Sequence, residues 1–173
     1  MAGFRMKVMS IPDNFQESIT PDIQWLDDCS HRKIDDLEIH KWVSACFYEM
    51  GISNVELAVR VVDRCEMLDL NTKYRGRENE TNVLSFGNGD IDEFGVRLLG
   101  DIVICAPVLS EESLNQGKEQ AAHFAHLLVH GILHLLGYDH LQDAEAEEME
   151  SIEARILSTL GWSNPYIEKT DDD

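Results

Sequence analysis

Three histidines at fixed spacing in one apolar segment constrain this chain more than any other feature. They are His130, His134 and His140, with three residues between the first two and five between the last two. The segment is predicted to be a helix, on which residues four apart lie one turn above each other. Gly137 can end that helix in a left-handed conformation and bring the third imidazole towards the other two. The spacing therefore predicts a metal site at the end of a central helix.

The number of ligands predicts a catalytic ion. Structural zinc normally takes four protein ligands, whereas catalytic zinc takes three and leaves one position for water. We therefore predict one Zn²⁺ per chain, although Ni²⁺ and Cu²⁺ also bind imidazoles. Metzincin proteases share this spacing but place a glutamate directly after the first histidine as general base. Gly131 occupies that position here, which argues against proteolysis.

Three residues near this group have roles that the pattern leaves open. His123 and His126 lie on the same helix but outside the ligand spacing, and we favour orienting or structural roles for them, although His126 could compete for the metal. Asp139 could orient an imidazole, act as a base or cap the next helix. The alternative for the whole group is a purely structural role, in which the histidines pack in an amphipathic helix. That role does not explain why their spacing matches a set of metal ligands.

No segment has the pattern of an export signal or a membrane span. The first residues lead into no apolar run, and the apolar stretch at 121–136 is interrupted by four histidines. No C-x-x-C pair is present, which favours reduced, mostly buried thiols over disulfides or a Cys₄ zinc site. The cysteines are Cys29, Cys46, Cys65 and Cys105. We expect a cytoplasmic protein without membrane contact.

The formal charge of −19 argues mildly against a nucleic-acid partner, because phosphate contacts supply most of the affinity for nucleic acids. The charges are unevenly placed, however. From Asp139 to Glu153 there are seven acidic residues and no Lys or Arg, whereas six of the fourteen Lys and Arg lie between residues 60 and 97. The sequence is thus compatible with a local basic surface.

The remaining pattern predicts an α+β fold in a single domain over residues 1–173, with a small mixed β-sheet packed by helices. Asp35 is the expected N-cap of the first helix and Gly51 the residue that ends it. The stretch marked by Pro12 and Pro21 is predicted to be irregular. Helices are predicted over residues 36–50, 64–73, 118–136 and 143–160, and strands over 4–11, 55–62, 81–86 and 98–105.

The segment from His130 to His140 resembles the signature of the YbeY family of bacterial rRNA maturation endoribonucleases. Three other segments agree with that family in order and spacing, and so does an Asn-Pro-Tyr near the end of the chain. The three resemble the motifs L-N-x-x-Y-R-G, T-[DN]-V-L-S-F and L-G-D-I-x-I, and they are Leu70–Gly76, Thr81–Phe86 and Leu99–Cys105. The resemblance covers residues 55 to 168.

The resemblance implies both site residues and an activity. By position it makes His130, His134 and His140 the metal ligands and Arg75 the family's functionally important arginine. It implies a cytoplasmic, single-strand-specific, metal-dependent endoribonuclease that acts in maturation of the 3′ end of small-subunit rRNA and in late ribosome quality control. The implied partners are single-stranded rRNA, the ribosome and ribosome-associated proteins.

Several alternatives stay open at this point. The family usually has proline where this chain has Glu80 and Gly87, so we expect a more flexible loop there, with substrate contacts in doubt. Arg75 could stabilise charge on a phosphate or could form a surface ion pair with a carboxylate. The protein could hydrolyse another substrate, such as a small phosphoester. It could also be a zinc-binding ribosome-assembly factor without catalysis, which a fourth protein ligand would favour.

Overall fold

Five helices pack around one four-stranded sheet in the described part of the chain. The structure is a computed structural model, and it describes residues 10–12, 15, 19–26 and 34–167. The strands are β1 (Asp22–Trp25), β2 (Val55–Val62), β3 (Val83–Gly87) and β4 (Arg97–Cys105). The helices are α1 (Asp36–Glu49), α2 (Arg64–Arg75), α3 (Ala106–Asn115), α4 (Gln120–Leu135) and α5 (Asp143–Thr159).

The sheet has four strands in the order β1-β2-β4-β3. The first three are parallel, and β3 pairs with β4 in the antiparallel direction at the edge. Parallel neighbours need a long crossover connection, usually a helix, and α1 supplies it between β1 and β2. One mixed sheet with helices packed on it is the α+β architecture that the sequence predicts.

The two faces of the sheet bury different sets of side chains, because successive strand residues point to opposite faces. Ile102 and Ile104 of β4 belong to a large core with α1, α4 and α5. Val103 and Cys105 belong to a smaller core, where Met67 of α2 covers the opposite face. The histidine helix α4 therefore lies inside the larger core, packed against β3, β4, α1, α3 and α5.

Most of the predicted elements are present. The predicted helix 36–50 is α1, and the Asp35 side chain accepts a hydrogen bond from the Glu38 N–H at 2.8 Å while Glu38 accepts one from the Asp35 N–H. This reciprocal pair is a capping box, which satisfies two backbone donors at the start of the helix. Gly51 follows α1 at a positive φ of 66°, as predicted.

Two elements were not predicted. The stretch around Pro21 was expected to be irregular, but it contains β1, a four-residue strand at the edge of the sheet. Four residues are too few to show an alternating pattern. Helix α3 was missed because it begins directly at the end of β4, with Cys105 as its N-cap and a proline in its first turn, where proline is tolerated. The predicted strand over residues 4–11 lies outside the described residues except for its last two, which are not in a strand.

The cysteines follow the expectation in part. Cys46 and Cys105 are buried, whereas Cys65 is exposed; Cys29 lies outside the described residues. Burial, reinforced by the charges of Glu153 and Glu49, raises the pKa of the Cys46 thiol. Within the described ranges, no helix has the length and apolar character that crossing a bilayer requires.

Candidate metal centre

Helix α4 and the turn that follows it bring the three predicted ligands together. Gly137 lies just beyond the C-cap of α4 with φ of 97°. Its N–H donates to the His134 carbonyl at 3.0 Å, and the next N–H donates to the carbonyl before that one, also at 3.0 Å. These two bonds form a Schellman motif, which a residue in the left-handed region permits. The chain then reverses and places His140 beside His130 and His134.

The three imidazoles converge on one point. The Nε2 atoms of His130 and His134 are 3.0 Å apart, and one nitrogen from each of the three rings lies within 4.8 Å of the others. The ring centroids of His134 and His140 are 5.0 Å apart. In the part of the chain that the structure describes, no fourth Cys, His, Asp or Glu belongs to this group. The donor set therefore fits a divalent ion with one coordination position left open.

The environment of His134 suits metal binding. Burial lowers the pKa of His134, and the neighbouring His130 and His140 lower it further. Neutral imidazoles are the form that coordinates a metal. The Nδ1 atom of His130 lies 2.6 Å from Oε1 of Glu153. Because a carboxylate can only accept, that nitrogen is the donor; in the neutral ring, which is the form that binds a metal, the lone pair is then on Nε2, facing His134.

Glu153 is fully buried, with 0% of its surface exposed. Its other carboxylate oxygen accepts hydrogen bonds from Nε2 of His126 at 3.1 Å and from the Tyr166 hydroxyl. Burial alone would raise the pKa of Glu153, but the hydrogen bonds from His126, His130 and Tyr166 outweigh it and lower the pKa to about 2. A buried carboxylate is thus held ionised behind one of the predicted ligands.

His123 and His126 lie outside the ligand group, as the sequence predicts. His123 is 5% exposed, and its Nε2 donates to Oε2 of Glu112 at 2.7 Å. Burial lowers the pKa of His123 although that contact with Glu112 raises it. His126 contacts Glu153 and packs its ring edge-on against Tyr166, with 5.5 Å between ring centroids.

Asp139 does not cap helix α5. Its Oδ1 accepts the backbone N–H of His140 at 2.7 Å and lies 4.0 Å from Nδ1 of the same residue. The N-cap of α5 is Gln142, which makes no side-chain capping bond. Asp139 therefore contacts the backbone of the third ligand rather than the next helix.

The structure explains why no general base follows the first histidine. A Cβ atom at Gly131 would lie 3.1 Å from Cγ2 of Ile102 and 3.1 Å from Oγ of Ser85. These distances are tighter than most real Cβ contacts, because this face of α4 packs directly on the sheet. Any side chain at this position would require Ile102 and Ser85 to shift by a few tenths of an ångström, so the close packing favours glycine there.

Arg75, the predicted catalytic arginine, is joined to the histidine helix through β3. Its Nη2 donates to the Ser85 carbonyl at 2.8 Å, and its guanidinium carbon lies 5.8 Å from the centroid of the Phe86 ring. The Ser85 hydroxyl in turn donates to the carbonyl of Gly131, at 3.2 Å. Among the described residues Arg75 makes no ion pair, so the ion-pair alternative is not what the structure shows.

Among the described residues, two of the six Lys and Arg between positions 60 and 97 form ion pairs. Arg64 forms ion pairs with Glu80 at 2.7 Å and with Glu111 at 2.6 Å, and Arg60 pairs with Glu66 at 2.8 Å. Glu80, which replaces a usual proline of the family, is thus part of an ion-pair network between α2, the following loop and α3. The local basic surface is therefore smaller than the count of Lys and Arg indicates.

Glu153 and Ser85 contact site residues but were not singled out in the sequence, and Tyr166 was noted only as part of the Asn-Pro-Tyr motif. A signal for Glu153 is present, because Met149, Ile152 and Ile156 form the buried face of α5 and Glu153 falls within that face. A carboxylate on an apolar face must find partners, since burying an unpaired charge is costly. No comparable pattern marks Ser85, whose contact with Gly131 depends on the packing of α4 against β3.

Comparison with known proteins agrees with the geometry. The family model Endoribonuclease YbeY matches residues 24–161. The Endoribonuclease YbeY of Alteromonas mediterranea is 49% identical over 129 residues, which is 75% of this chain and 82% of that protein. A Thermotoga maritima protein solved in solution has the same fold, with a TM-score of 0.57 and 21% identity over 86% of this chain and 100% of the other. The motif resemblance is confirmed, and the chain belongs to the YbeY family of endoribonucleases.

Proposed function

We propose that this protein is a cytoplasmic, metal-dependent endoribonuclease that cleaves single-stranded RNA. The proposal extends to maturation of the 3′ end of small-subunit rRNA and late ribosome quality control, with the ribosome and ribosome-associated proteins as partners. Membership of an endoribonuclease family supports the reaction class. The biological setting rests on the family alone.

The observation that carries the proposal is the group of three converging imidazoles with no fourth protein ligand in the described part of the chain. His130, His134 and His140 would hold the ion, and three imidazoles are a donor set that suits Zn²⁺. When bound, such an ion supplies Lewis-acid activation of water near neutral pH and stabilises negative charge on a phosphoryl oxygen. A structural zinc site would instead be closed by a fourth ligand.

Arg75 would bind the phosphodiester and stabilise the charge that develops on it. The guanidinium is exposed, and one of its nitrogens is anchored on the Ser85 carbonyl, at 2.8 Å. Anchoring leaves the other N–H donors for a phosphate, which guanidinium binds bidentately. A preorganised cation at the reacting phosphate contributes most where the charge is greatest, in the transition state.

The net charge of −19 restricts how RNA is bound. Arg64 and Arg60 are engaged with carboxylates, which reduces the number of cations in this stretch that can attract a phosphate backbone. We therefore expect weak affinity for naked RNA and a steep fall in binding with added salt. A ribosomal partner could supply the missing basic surface.

The direct test is cleavage of a labelled single-stranded RNA by three preparations: as purified, stripped with a chelator, and restored with Zn²⁺. Activity should disappear with the metal and return with it. His134→Ala should be inert, which excludes a contaminating nuclease. Arg75→Ala should bind metal normally but cleave about 10²- to 10³-fold more slowly, whereas Arg77→Ala, a matched exposed arginine, should cleave at nearly the parental rate.

Two outcomes would redirect the proposal. An Arg75→Ala protein that binds metal and cleaves RNA at the parental rate would remove Arg75 from the chemistry. A parental protein that binds metal stoichiometrically yet leaves RNA intact, alone and with ribosomal subunits, would favour a zinc-binding assembly factor. Metal-dependent turnover of a small phosphoester together with indifference to RNA would indicate a different hydrolase.

A further inference from the structure

A buried hydrogen-bond network lies behind the candidate metal site and involves residues that the proposed reaction does not use. At its centre is Glu153 on α5, which is 0% exposed. One of its oxygens accepts from His130 at 2.6 Å, and the other accepts from His126 at 3.1 Å and from the Tyr166 hydroxyl. Every partner of this carboxylate is a donor, and one of them is a metal ligand.

The bond to His130 is directional. It engages Nδ1, while Nε2 of the same ring lies 3.0 Å from Nε2 of His134 at the convergence point. Glu153 therefore holds the proton on the outer nitrogen and leaves a lone pair on the inner one. The ring is also fixed in rotation, because turning it would break a charge-assisted bond to a fully buried carboxylate.

The segment after α5 holds Tyr166 in place. The Tyr166 N–H donates to the Asn164 side chain at 2.9 Å, the Asx-turn bond that an Asn makes two residues along the chain. Tyr166 and His126 share one oxygen of Glu153 and approach each other at 3.1 Å. The Asn-Pro-Tyr sequence thus positions the Tyr166 hydroxyl on the buried carboxylate of Glu153.

We propose that Glu153, itself held by Tyr166 and His126, is a positioning residue that sets the tautomer and orientation of His130 for metal binding. This inference rests on the metal site of the proposed function. Carboxylates that orient ligating histidines in this way change metal affinity or activity about 10- to 100-fold when removed. The carboxylate acts through the imidazole and does not reach the open coordination position.

The test measures metal binding, independently of RNA cleavage. Glu153→Gln keeps the size of the side chain but removes its charge, and it should weaken Zn²⁺ binding about 10- to 100-fold in competition with a chromogenic chelator. Its Co²⁺ complex should show altered visible absorption, since the geometry of one ligand changes. Tyr166→Phe changes a residue that is 41% exposed and removes only one hydrogen bond from the carboxylate. It should therefore produce a smaller effect in the same direction.

Glu112→Gln is the matched control. Glu112 makes the same kind of bond, at 2.7 Å, to an imidazole of the same helix, but that imidazole, His123, is outside the ligand group. A general loss of stability would therefore appear in both variants, whereas a loss of Zn²⁺ affinity should appear only in Glu153→Gln. Nitrogen-15 NMR of the metal-free parent should show the Nδ1–H tautomer of His130, and Tyr166→Phe should retain it.

The outcomes separate this inference from the proposed function. Parental Zn²⁺ affinity and Co²⁺ spectra in Glu153→Gln, or an Nε2–H tautomer of His130 in the metal-free parent, would overturn the positioning role while leaving RNA cleavage untouched. If Glu153→Gln does not fold, an unchanged affinity in Tyr166→Phe together with that Nε2–H tautomer would overturn it. Metal binding that depends on Glu153 in a protein that cleaves no RNA would support the positioning role and refute the proposed function.

Discussion

Replacing Gly137 by alanine tests whether the turn after α4 delivers the third ligand. Gly137 has φ of 97°, and a Cβ atom placed on it would meet nothing within 4 Å. The substitution therefore adds backbone strain without a steric clash. Its effect reports the left-handed conformation alone, which is the feature that lets the chain reverse towards His140.

The expected magnitude follows from the dihedral angle. A non-glycine residue held in a sparsely populated region costs about 1–3 kcal/mol. At 97°, φ of Gly137 lies well beyond the left-handed helical value of about 57°, so we expect about 2–3 kcal/mol. If the metal-free turn stays in place, this strain lowers the free energy of unfolding. If the turn relaxes in the metal-free protein, metal binding must restore the strained conformation. The strain energy is then subtracted from the binding free energy, and Zn²⁺ affinity falls about 30- to 150-fold.

Gly51 provides the matched control, because it ends α1 with the same pattern. Its N–H donates to the Tyr48 carbonyl at 3.1 Å, the next N–H closes the helix at 2.9 Å, and a Cβ there would also meet nothing within 4 Å. With φ of 66°, Gly51→Ala should cost only about 1 kcal/mol and leave Zn²⁺ affinity unchanged. Urea denaturation without metal and chelator competition measure the two quantities for both variants.

The sum of the two losses is the decisive number. For Gly137→Ala the loss in unfolding free energy and the loss in Zn²⁺ binding free energy should add to about 2–3 kcal/mol, however they are divided. A variant with parental stability and parental affinity would show that the left-handed turn does not hold His140. Equal losses of affinity in Gly51→Ala would show that the effect is not local to the site.

Three further predictions follow from the structure. Gly100→Ala should lower the free energy of unfolding, measured by urea denaturation, by about 3–5 kcal/mol, because its Cβ would lie 2.0 Å from a backbone oxygen of β3 at a strained φ of 137°. The control Gly89→Ala, at φ of 84° in open space, should lower it by only about 1–2 kcal/mol. The pKa of Glu153 is lowered from 4.5 to about 2, so the contribution of its ionised form to stability is complete above pH 4.5 and is lost as pH falls from 4.5 towards 2. Unfolding of the chelator-treated protein at a series of pH values should show this loss of stability in acid, and Glu153→Gln should lack it. Iodoacetamide should alkylate Cys65 in the native protein but Cys46 only after denaturant is added, because Cys65 is exposed while burial keeps Cys46 protonated. Peptide mapping would identify the alkylated cysteine.

The convergence of His130, His134 and His140 could be predicted from the sequence because the information for it is local. His130 and His134 are one helical turn apart, and Gly137 marks the end of the helix, so the approach of His140 follows from helix geometry and one turn. The same local patterns locate α1, β2, α2, α4 and α5. Resemblance to a family then identifies Arg75, for which position in the chain alone would favour a surface ion pair.

The residues that the sequence does not identify depend on contacts between distant segments. Arg75 reaches the histidine helix only through Ser85, and that contact requires the antiparallel pairing of β3 with β4. Glu153 contacts His130 across 23 positions of the chain, and Tyr166 reaches Glu153 from beyond the end of α5. Strand β1 is too short and α3 too closely joined to β4 for periodicity to reveal them.

The position of the carboxylate distinguishes this site from that of a protease with the same ligand spacing. In the proteases the carboxylate follows the first histidine and serves as base, but here that position is Gly131, against Ile102 and Ser85 of the sheet. The buried carboxylate that the site does contain, Glu153, engages the outer nitrogen of His130 and faces away from the convergence point. It can orient a ligand but cannot take a proton from a group bound at the open position. In the proposed reaction, Arg75, anchored on the Ser85 carbonyl, would stabilise charge on the phosphodiester. The attacking group would then be water or the 2′-hydroxyl of the RNA itself.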